Sequence, residues 1–345
     1  LNSDIETDVA IVGGGIAGVS TAFFILRNTS KKVVLLEGNR LGHGATGHNA
    51  GQITSYFERS LHELVEEFGL TQAAEGQRSI EMAWELLDQM YTEAGLDIPF
   101  SRFTGYAGFS TFEQIVSVLK NNVLRKRGGL GDVVLLVADN VESKDSIPSE
   151  FVGFYSLVSQ AEILEKLETT NKDFIALAET QKGVINSALF TEEVALHLLG
   201  KYKDRFNIFE NTKIPKVVLK EGHAILDAEH WSVLAKRVVL CTNGFDNIKI
   251  FDTSGLEIDT RFHHSIHGVV GRMFGYIENM TKPPTAISYY VGPQWGFDDM
   301  TDPYFYLTRR IYEHDDPPAG GKHNLTCLGG PQQTIPSRAE YRQDF

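Results

Sequence analysis

The first forty residues carry the clearest pattern of hydrophobic and polar positions in the chain. Residues 9–12 form a continuous apolar run, as expected of a parallel strand buried on both faces. After a glycine turn, apolar residues recur at helical spacing, namely Ile16, Val19, Ala22, Phe23 and Leu26. A second apolar run, Val33–Leu36, predicts another strand. The pattern therefore predicts a buried strand–helix–strand unit with a parallel sheet.

The glycine turn has the spacing G-x-G-x-x-G and ends at Gly18. The first glycine permits the tight turn, the second lets a pyrophosphate approach the backbone, and the third lets the helix pack closely. The helix N-terminus then faces the phosphates. Glu37 follows about 20 residues later, where an acid accepts hydrogen bonds from a ribose and disfavours the 2′-phosphate of NADP. The predicted dinucleotide site comprises Gly13, Gly15, Ile16, Ala17, Gly18 and Glu37; a glycine turn without a ligand is the alternative.

Composition sets the broad class of the protein. A chain of 345 residues is long enough for two domains. The net charge of −13 argues against a nucleic-acid or anionic-membrane surface, and no apolar run reaches the length of a membrane span. The motif begins at Asp8, which leaves no room for a signal peptide. Two cysteines do not make a disulfide framework. These features predict a cytoplasmic protein.

The later elements are predicted from periodicity and from capping signals. Residues 58–94 read as helical, 103–110 as a strand, and Thr111 with Gln114 as a capping box for a helix to residue 124. Ser159 with Glu162 is a similar signal. Further predicted elements are a turn and helix from residue 183, a strand over 207–214, a hairpin of 216–219 with 224–226, and a buried strand over 237–242.

The loop over residues 38–53, GNRLGHGATGHNAGQI, contains five glycines. Together with Glu37, it resembles the D-amino-acid-oxidase-like (DAO) family of FAD-dependent amine oxidoreductases, which includes glycine oxidase, sarcosine oxidase, dimethylglycine dehydrogenase and gamma-glutamylputrescine oxidase. The resemblance implies an α/β fold with a Rossmann-like FAD-binding domain of the glutathione-reductase type. An interleaved α+β substrate domain would be built on an antiparallel sheet. We expect residues 1–90 and 183–252 to form the FAD-binding domain, and 91–182 and 253–345 to form the substrate domain.

The same resemblance implies that this loop runs from the FAD pyrophosphate to the edge of the flavin ring. In the dimethylglycine dehydrogenase branch, a histidine that matches His48 is bonded covalently to the flavin; a hydrogen-bonded or solvated histidine is the alternative. The further residues expected at FAD are Gly38, Arg40, Gly44, Ala45, Thr46, His48, Asn49, Gly51, Gln52, Ile53, Ile214, Thr242, Asn243 and Gly244.

Residues 304–310, YFYLTRR, resemble the family strand that supplies a carboxylate-binding arginine. Side chains alternate along a strand, so only one of Arg309 and Arg310 can face the pocket. Arg310 is the preferred candidate because it shares a face with Tyr306. The aromatic residues of this region predict either a sheet core or a pocket wall with cation–π contacts: Tyr289, Tyr290, Trp295, Phe297, Tyr304, Phe305, Tyr306 and Tyr312.

A histidine cluster, His263, His264 and His267, invites a metal interpretation. Val269 and Val270 predict a strand here, on which His263 and His267 would lie about 13 Å apart. One zinc ion needs nitrogens about 2 Å away, so no metal site is expected.

The resemblance implies oxidation of the C–N bond of a small amine or amino acid, with oxygen or an electron-transfer protein as acceptor. Two alternatives stay open: a non-catalytic escort protein on a related fold, as in the Rab GDP-dissociation inhibitors, and an FAD enzyme of another class, such as a hydroxylase. Family members continue with a glycine-rich loop that faces the flavin pyrimidine end, and we find no such segment before Phe345.

Overall fold

The computed structural model describes residues 5–57, 59–139, 147–244, 248–265, 268–291, 304–312 and 322–335. Its α-helices are α1 (Ile16–Asn28), α2 (Leu61–Phe68), α3 (Leu70–Glu81), α4 (Ala83–Glu93), α5 (Phe112–Arg127), α6 (Gln160–Lys166), α7 (Ser187–Lys201) and α8 (Ile258–Ser265). Its strands are β1 (Ile5–Val12), β2 (Val33–Leu36), β3 (Gln52–Ile53), β4 (Phe100–Phe109), β5 (Val134–Ala138), β6 (Ser156–Val158), β7 (Ala176–Ile185), β8 (Phe206–Phe209), β9 (Lys216–Lys220), β10 (His223–Asp227), β11 (Ser232–Leu240), β12 (Lys249–Asp252), β13 (Gly268–Asn279), β14 (Thr285–Tyr290), β15 (Tyr304–Ile311) and β16 (His323–Ile335).

The predicted strand–helix–strand unit lies at the centre of a seven-stranded sheet. The strand order is β12-β9-β10-β11-β1-β2-β8. Strand β1 runs parallel to β11 and β2, and β2 runs parallel to β8. Strand β2 has the predicted bounds, and β1 starts earlier, at Ile5. The carboxyl ends of four parallel strands therefore meet at one edge, where ligands of such sheets bind.

Helix α1 packs on this sheet through most of the residues that its spacing predicted. Val19, Ala22, Phe23 and Leu26 are buried in one apolar cluster. The prediction is wrong for Ile16, which is 38% exposed. Ile16 is the first residue of the helix, and its N–H group donates to Thr46 of the glycine loop, so its surroundings are that loop and not the sheet.

A nine-stranded, mainly antiparallel sheet forms the second layer. Its order is β13-β16-β15-β14-β4-β7-β5-β6, with β3 paired to β7 beside this path. Helix α5 covers one face through Ile115 and Leu119, and α6 covers the other through Ile163. Because β3 is the end of the glycine loop, its pairing of Gln52 with Val184 joins that loop to this sheet.

Several local signals are confirmed. Thr111 and Gln114 form the capping box of α5, and the Ser159 hydroxyl caps α6. The hairpin β9–β10 turns at Gly222, whose φ of 78° is in the left-handed region that favours glycine. The helical stretch is confirmed as α2, α3 and α4, separated at Gly69 and Met82.

Other boundaries differ from the predictions. Residue 183 does not begin a turn, because β7 continues through it to Ile185 and pairs with β4 and β3. Strand β8 ends at Phe209 and β11 ends at Leu240, each earlier than predicted. Residues 183–185 thus belong to the nine-stranded sheet, whereas β12 belongs to the seven-stranded sheet. The proposed division into two domains stays a prediction.

The predicted strand around the histidines is wrong at its start. Residues 258–265 form helix α8, and the strand begins only at Gly268. On the helix, His263 lies one turn after Asp259, and its Nε2 is 3.5 Å from Oδ1 of Asp259. The same Nε2 is 2.8 Å from the carbonyl oxygen of Ile248. The valines that suggested a strand follow this helix. His267 lies outside the described residues.

Candidate functional site

The glycine turn after β1 is crowded by backbone at two of its three motif positions. Gly13 has φ of 109°, and a Cβ there would collide with the carbonyl oxygen of Cys241. A Cβ at Gly18 would collide with the carbonyl oxygen of Gly13. The fold itself therefore requires these two glycines.

Gly15 has a different explanation. Its φ of −77° suits any residue, and a Cβ there would approach only the Thr46 side chain, 2.9 Å from Oγ1. The backbone conformation thus does not demand glycine. A side chain at Gly15 would fill the space in front of the α1 N-terminus, where a pyrophosphate is expected to bind. The residues present fit such a group.

Glu37 is fixed at the end of β2, beside this turn. Its Oε2 accepts a hydrogen bond from the Gly14 N–H at 2.6 Å, and its Oε1 accepts one from the Asn39 N–H at 2.8 Å. Each carboxylate oxygen can accept two hydrogen bonds, so both retain capacity for ribose hydroxyls.

Thr46 returns the glycine loop to the helix N-terminus. It is 8% exposed, and its hydroxyl oxygen accepts the Ile16 N–H at 3.0 Å. That bond satisfies one free donor of α1 and leaves the hydroxyl proton for a phosphate oxygen. Gly44 and Ala45, just before it, are exposed, and a Cβ at Gly44 would meet nothing within 4 Å.

Asn49 holds the second half of the loop in place. Its side-chain amide donates to the carbonyl oxygens of Ala45 and Thr46 at 2.9 and 2.7 Å, and its Oδ1 accepts the Gly51 N–H at 2.7 Å. The exposed ring of His48 lies with Nδ1 2.8 Å from the Gly44 carbonyl oxygen. A carbonyl oxygen only accepts, so Nδ1 donates in this contact. The covalent bond stays a prediction.

The loop ends against strand β15 of the large sheet. Gly51 has φ of 77°, and a Cβ there would collide with the Ile185 carbonyl oxygen and lie 3.3 Å from Cδ of Arg310. The hydroxyl of Thr308 donates to Oε1 of Gln52 at 3.1 Å. The structure therefore brings the expected flavin loop and the expected substrate strand into contact. A flavin and its substrate could bind side by side only if these two segments meet.

The two candidate arginines lie on opposite faces of β15. Arg309 is 4% exposed and forms ion pairs with Glu168 at 2.9 Å and Glu278 at 3.0 Å. Hydrogen bonds from Arg309 hold the Glu168 pKa below its usual value. Arg309 is thus held by carboxylates of the fold, and which of the two arginines positions a substrate stays a prediction. Arg310 is half-buried beside Gly51.

Tyr306 shares the face of Arg310 and lies across Gly329 of β16, where no side chain competes for the space. Burial raises the pKa of its phenol. By contrast, Tyr289 donates to the Leu167 carbonyl oxygen at 2.8 Å and Tyr290 stacks on Phe109, so these two rings belong to the core. Trp295 and Phe297 lie outside the described residues.

The remaining residues expected at FAD are less directly connected to the glycine turn. Cys241 donates its N–H to the Val12 carbonyl oxygen, and the backbone nitrogen of Thr242 would lie 3.3 Å from a Cβ at Gly13. Asn243 and Gly244 follow Thr242 along the chain. Gly38 lies against Lys213, and Ile214 is buried in the adjoining core. Arg40 is exposed on the loop. Their roles stay predictions.

Sequence reasoning missed one buried charge on the face of Arg310. Lys182 of β7 is 1% exposed and lies within the large sheet. The sequence predicted a turn from the next residue, Gly183, and hydrophobic periodicity gives no signal for a buried lysine. Within the described ranges, no group of three or more potential metal ligands occurs. No helix in that part of the chain is long and apolar enough to cross a membrane.

Comparison with known proteins assigns the class. The family model described as FAD dependent oxidoreductase, DAO, matches residues 8–342, so the chain belongs to this family of FAD-dependent oxidoreductases. Over 73 residues the chain is 38% identical to gamma-glutamylputrescine oxidoreductase of Escherichia coli (strain K12), a match that covers 21% of this chain and 17% of that protein. Two longer sequence matches each cover 70% of this chain but only half of the relative's length.

Solved structures show the same fold. Glycine oxidase from Geobacillus kaustophilus superposes with a TM-score of 0.58 at 16% identity, over 96% of this chain and 72% of that one. L-alpha-glycerophosphate oxidase from Mycoplasma pneumoniae, solved with FAD bound, gives a TM-score of 0.53 at 15% identity, over 98% and 75%. The predicted fold class is confirmed. At these identities the likeness establishes the fold and does not select a substrate.

Proposed function

We propose that this chain binds FAD and oxidises the C–N bond of an amine or amino acid. The observation that carries the proposal is the continuous path from the Gly15 cradle, through the loop held by Asn49, to Gly51 beside Arg310. Such a path can hold a dinucleotide at one end and present its ring to a substrate at the other. Family membership supports the cofactor.

FAD, when bound, supplies the two-electron acceptor for the hydrogen on the carbon next to the amine, and water then converts the resulting imine to a carbonyl compound and an amine. The residues of the chain bind and orient. The α1 N-terminus and Thr46 would hold the pyrophosphate, and Glu37 the ribose. Gln52 and Ile53 would border the ring.

Arg310 would bind a substrate carboxylate through two parallel hydrogen bonds. The flanking phenol of Tyr306 offers an aromatic face and a hydroxyl. No general base is assigned, because the reaction needs only a site that favours the unprotonated amine. Whether oxygen or a protein carrier accepts the electrons stays a prediction.

The test is anaerobic reduction of the FAD-loaded protein. We expect loss of the visible flavin absorption when an N-methyl amino acid, a D-amino acid or a polyamine is added, with one class reacting fastest. A flavin that binds but is bleached by none of these compounds, and instead by a reduced nicotinamide, would favour a hydroxylase and contradict the proposal.

Denaturation of the same sample tests His48. Yellow colour that stays with precipitated protein would support the covalent bond to His48. Colour that is released into the supernatant would rule that bond out without affecting the rest of the proposal.

A further inference from the structure

Lys182 is a buried cation in a neutral environment. Its Nζ donates to the hydroxyl of Ser288 at 3.1 Å and to the carbonyl oxygen of Tyr106 at 3.3 Å. Both acceptors are uncharged, and among the described residues Lys182 forms no ion pair. Desolvation lowers the pKa of its amine to about 8, so the ammonium form predominates at neutral pH.

The fold makes room for this side chain. Gly105 lies next to it on β4, and a Cβ there would collide with Cδ of Lys182. The lysine therefore lies flat across β4 and reaches Ser288 on β14, two strands away from its own. This path directs the ammonium along the sheet toward β15 and away from solvent.

The ammonium lies on the face that carries the proposed substrate residues. Ser288, its hydrogen-bond partner, is paired across the ladder with Tyr306. The next pair on the same face contains Thr308, whose hydroxyl donates a hydrogen bond to Gln52 of the glycine loop. Arg310 follows on the same face. Lys182 is thus joined through Ser288 to the surface that faces the expected flavin ring.

A buried polar atom close to Lys182 on this face lacks a partner. Thr180, two residues before Lys182 on β7, has a buried hydroxyl with no hydrogen-bond partner in the described structure. A buried hydroxyl without a partner costs about 1–3 kcal/mol, and it points to a ligand or water as the intended partner. The carboxylates nearby are engaged elsewhere: Glu179 pairs with Lys166, and Glu168 pairs with Arg309.

A buried ammonium without a counter-charge is destabilising, and an anion from a ligand removes that cost. We propose that Lys182 is an anion-binding residue of the substrate pocket, which together with Arg310 selects amines that carry a carboxylate over diamines and polyamines. This inference rests on the proposed function. It names the substrate class as amino acids and their N-substituted derivatives.

The pH dependence of binding separates the two cations. Among the described residues, the other titratable groups on this face are Tyr290 of β14, Arg310 and Tyr306 of β15, and Cys327 of β16; the facing residues of β3 and β4 carry no titratable group. Burial raises the pKa of both the Tyr306 phenol and the Cys327 thiol, and arginine stays charged. Only Lys182 is expected to lose its charge near pH 8.

The experiment titrates propionate, a carboxylate without an amine, into the FAD-loaded chain and follows the flavin absorption band. We expect propionate affinity to be constant below the Lys182 pKa of about 8 and to fall about tenfold per pH unit above it. Lys182→Met should weaken binding about 10- to 100-fold at neutral pH and abolish this pH dependence. Lys182→Arg should keep the affinity and also abolish the dependence. Putrescine should leave the spectrum unchanged.

Lys172→Met, at an exposed position before β7, is the matched control and should behave as the wild type. Replacing a buried charge by an apolar chain is often tolerated, so Lys182→Met is expected to fold. If it does not, the wild-type pH profile and Lys182→Arg still decide. Equal affinity and the same pH profile in FAD-loaded Lys182→Met and wild type would overturn this inference alone. Failure of every variant to take up FAD would instead overturn the proposed function.

Discussion

Arg309 and Arg310 are consecutive residues of β15 with opposite surroundings. Arg309 is buried between Glu168 and Glu278, whereas Arg310 lies with its Cδ against the position of Gly51 in the glycine loop. The alternation of side chains along a strand separates them. One arginine is therefore held by two ion pairs inside the fold, and the other lies beside the end of the glycine loop.

This separation predicts opposite phenotypes for the two arginines. Arg309→Met should lower the free energy of unfolding by about 2 kcal/mol, because it removes the hydrogen bonds of a buried guanidinium to two partly buried carboxylates. Glu168 keeps its second cation, Lys282. Arg310→Met should change stability by less than about 1 kcal/mol and should weaken propionate binding to the FAD-loaded chain. Urea denaturation and ligand titration measure the two effects. The interpretation fails if Arg309→Met is the variant that loses propionate while keeping its stability.

Lys182 should give the protein a distinctive pH dependence of stability. Its amine pKa falls from 10.5 to about 8 on folding, so between these values the unfolded chain binds more protons and stability rises with pH. The cost of burying the ammonium is fully present below pH 8. In carboxylate-free buffer, the melting temperature of Lys182→Met should exceed that of wild type most at about pH 7 and least at about pH 10.

Lys172→Met is the control for that comparison, because it removes a lysine at an exposed position of the same region. Its melting temperature should follow the wild type across the range. A constant difference between Lys182→Met and wild type at all pH values would mean that folding does not perturb the Lys182 amine.

The hydroxyl of Thr180 allows the cost of a buried, uncharged polar group to be measured. Because it is buried without a partner, Thr180→Val should raise the free energy of unfolding of the FAD-free protein by about 1 kcal/mol. Thr191→Val is the matched comparison: this hydroxyl donates to the Ser187 carbonyl oxygen at 2.7 Å, and its loss should cost about 1 kcal/mol. Destabilisation by both substitutions would show that Thr180 already has a partner in the folded protein.

The parts of the fold that could be predicted from sequence are those whose residues lie close together along the chain. The glycine turn, helix α1 and strand β2 follow one another along the chain, so spacing alone predicted them. The same is true of the Thr111 capping box and of the two faces of β15. The histidine region failed because Val269 and Val270 belong to β13, while His263 belongs to the preceding helix.

Contacts between distant segments were not predictable in this way. The Thr308–Gln52 hydrogen bond joins residues 256 positions apart, and the Lys182–Ser288 bond joins residues 106 positions apart. Burial of Lys182 further depends on the missing side chain of Gly105 on another strand. Neither charge nor periodicity around residue 182 carries that information. The general location of the site could thus be predicted, but not the buried cation within it.

FAD titration of Gly15 variants tests the central claim most directly. Gly15→Val fills the space before the α1 N-terminus without an unfavourable φ, and Gly200→Ala, at an open position of α7, is the matched control. We predict that wild type and Gly200→Ala bind FAD with equal affinity, while Gly15→Val folds but loses at least about 100-fold in affinity. Undiminished FAD binding by Gly15→Val, or none by the wild type, would contradict the account.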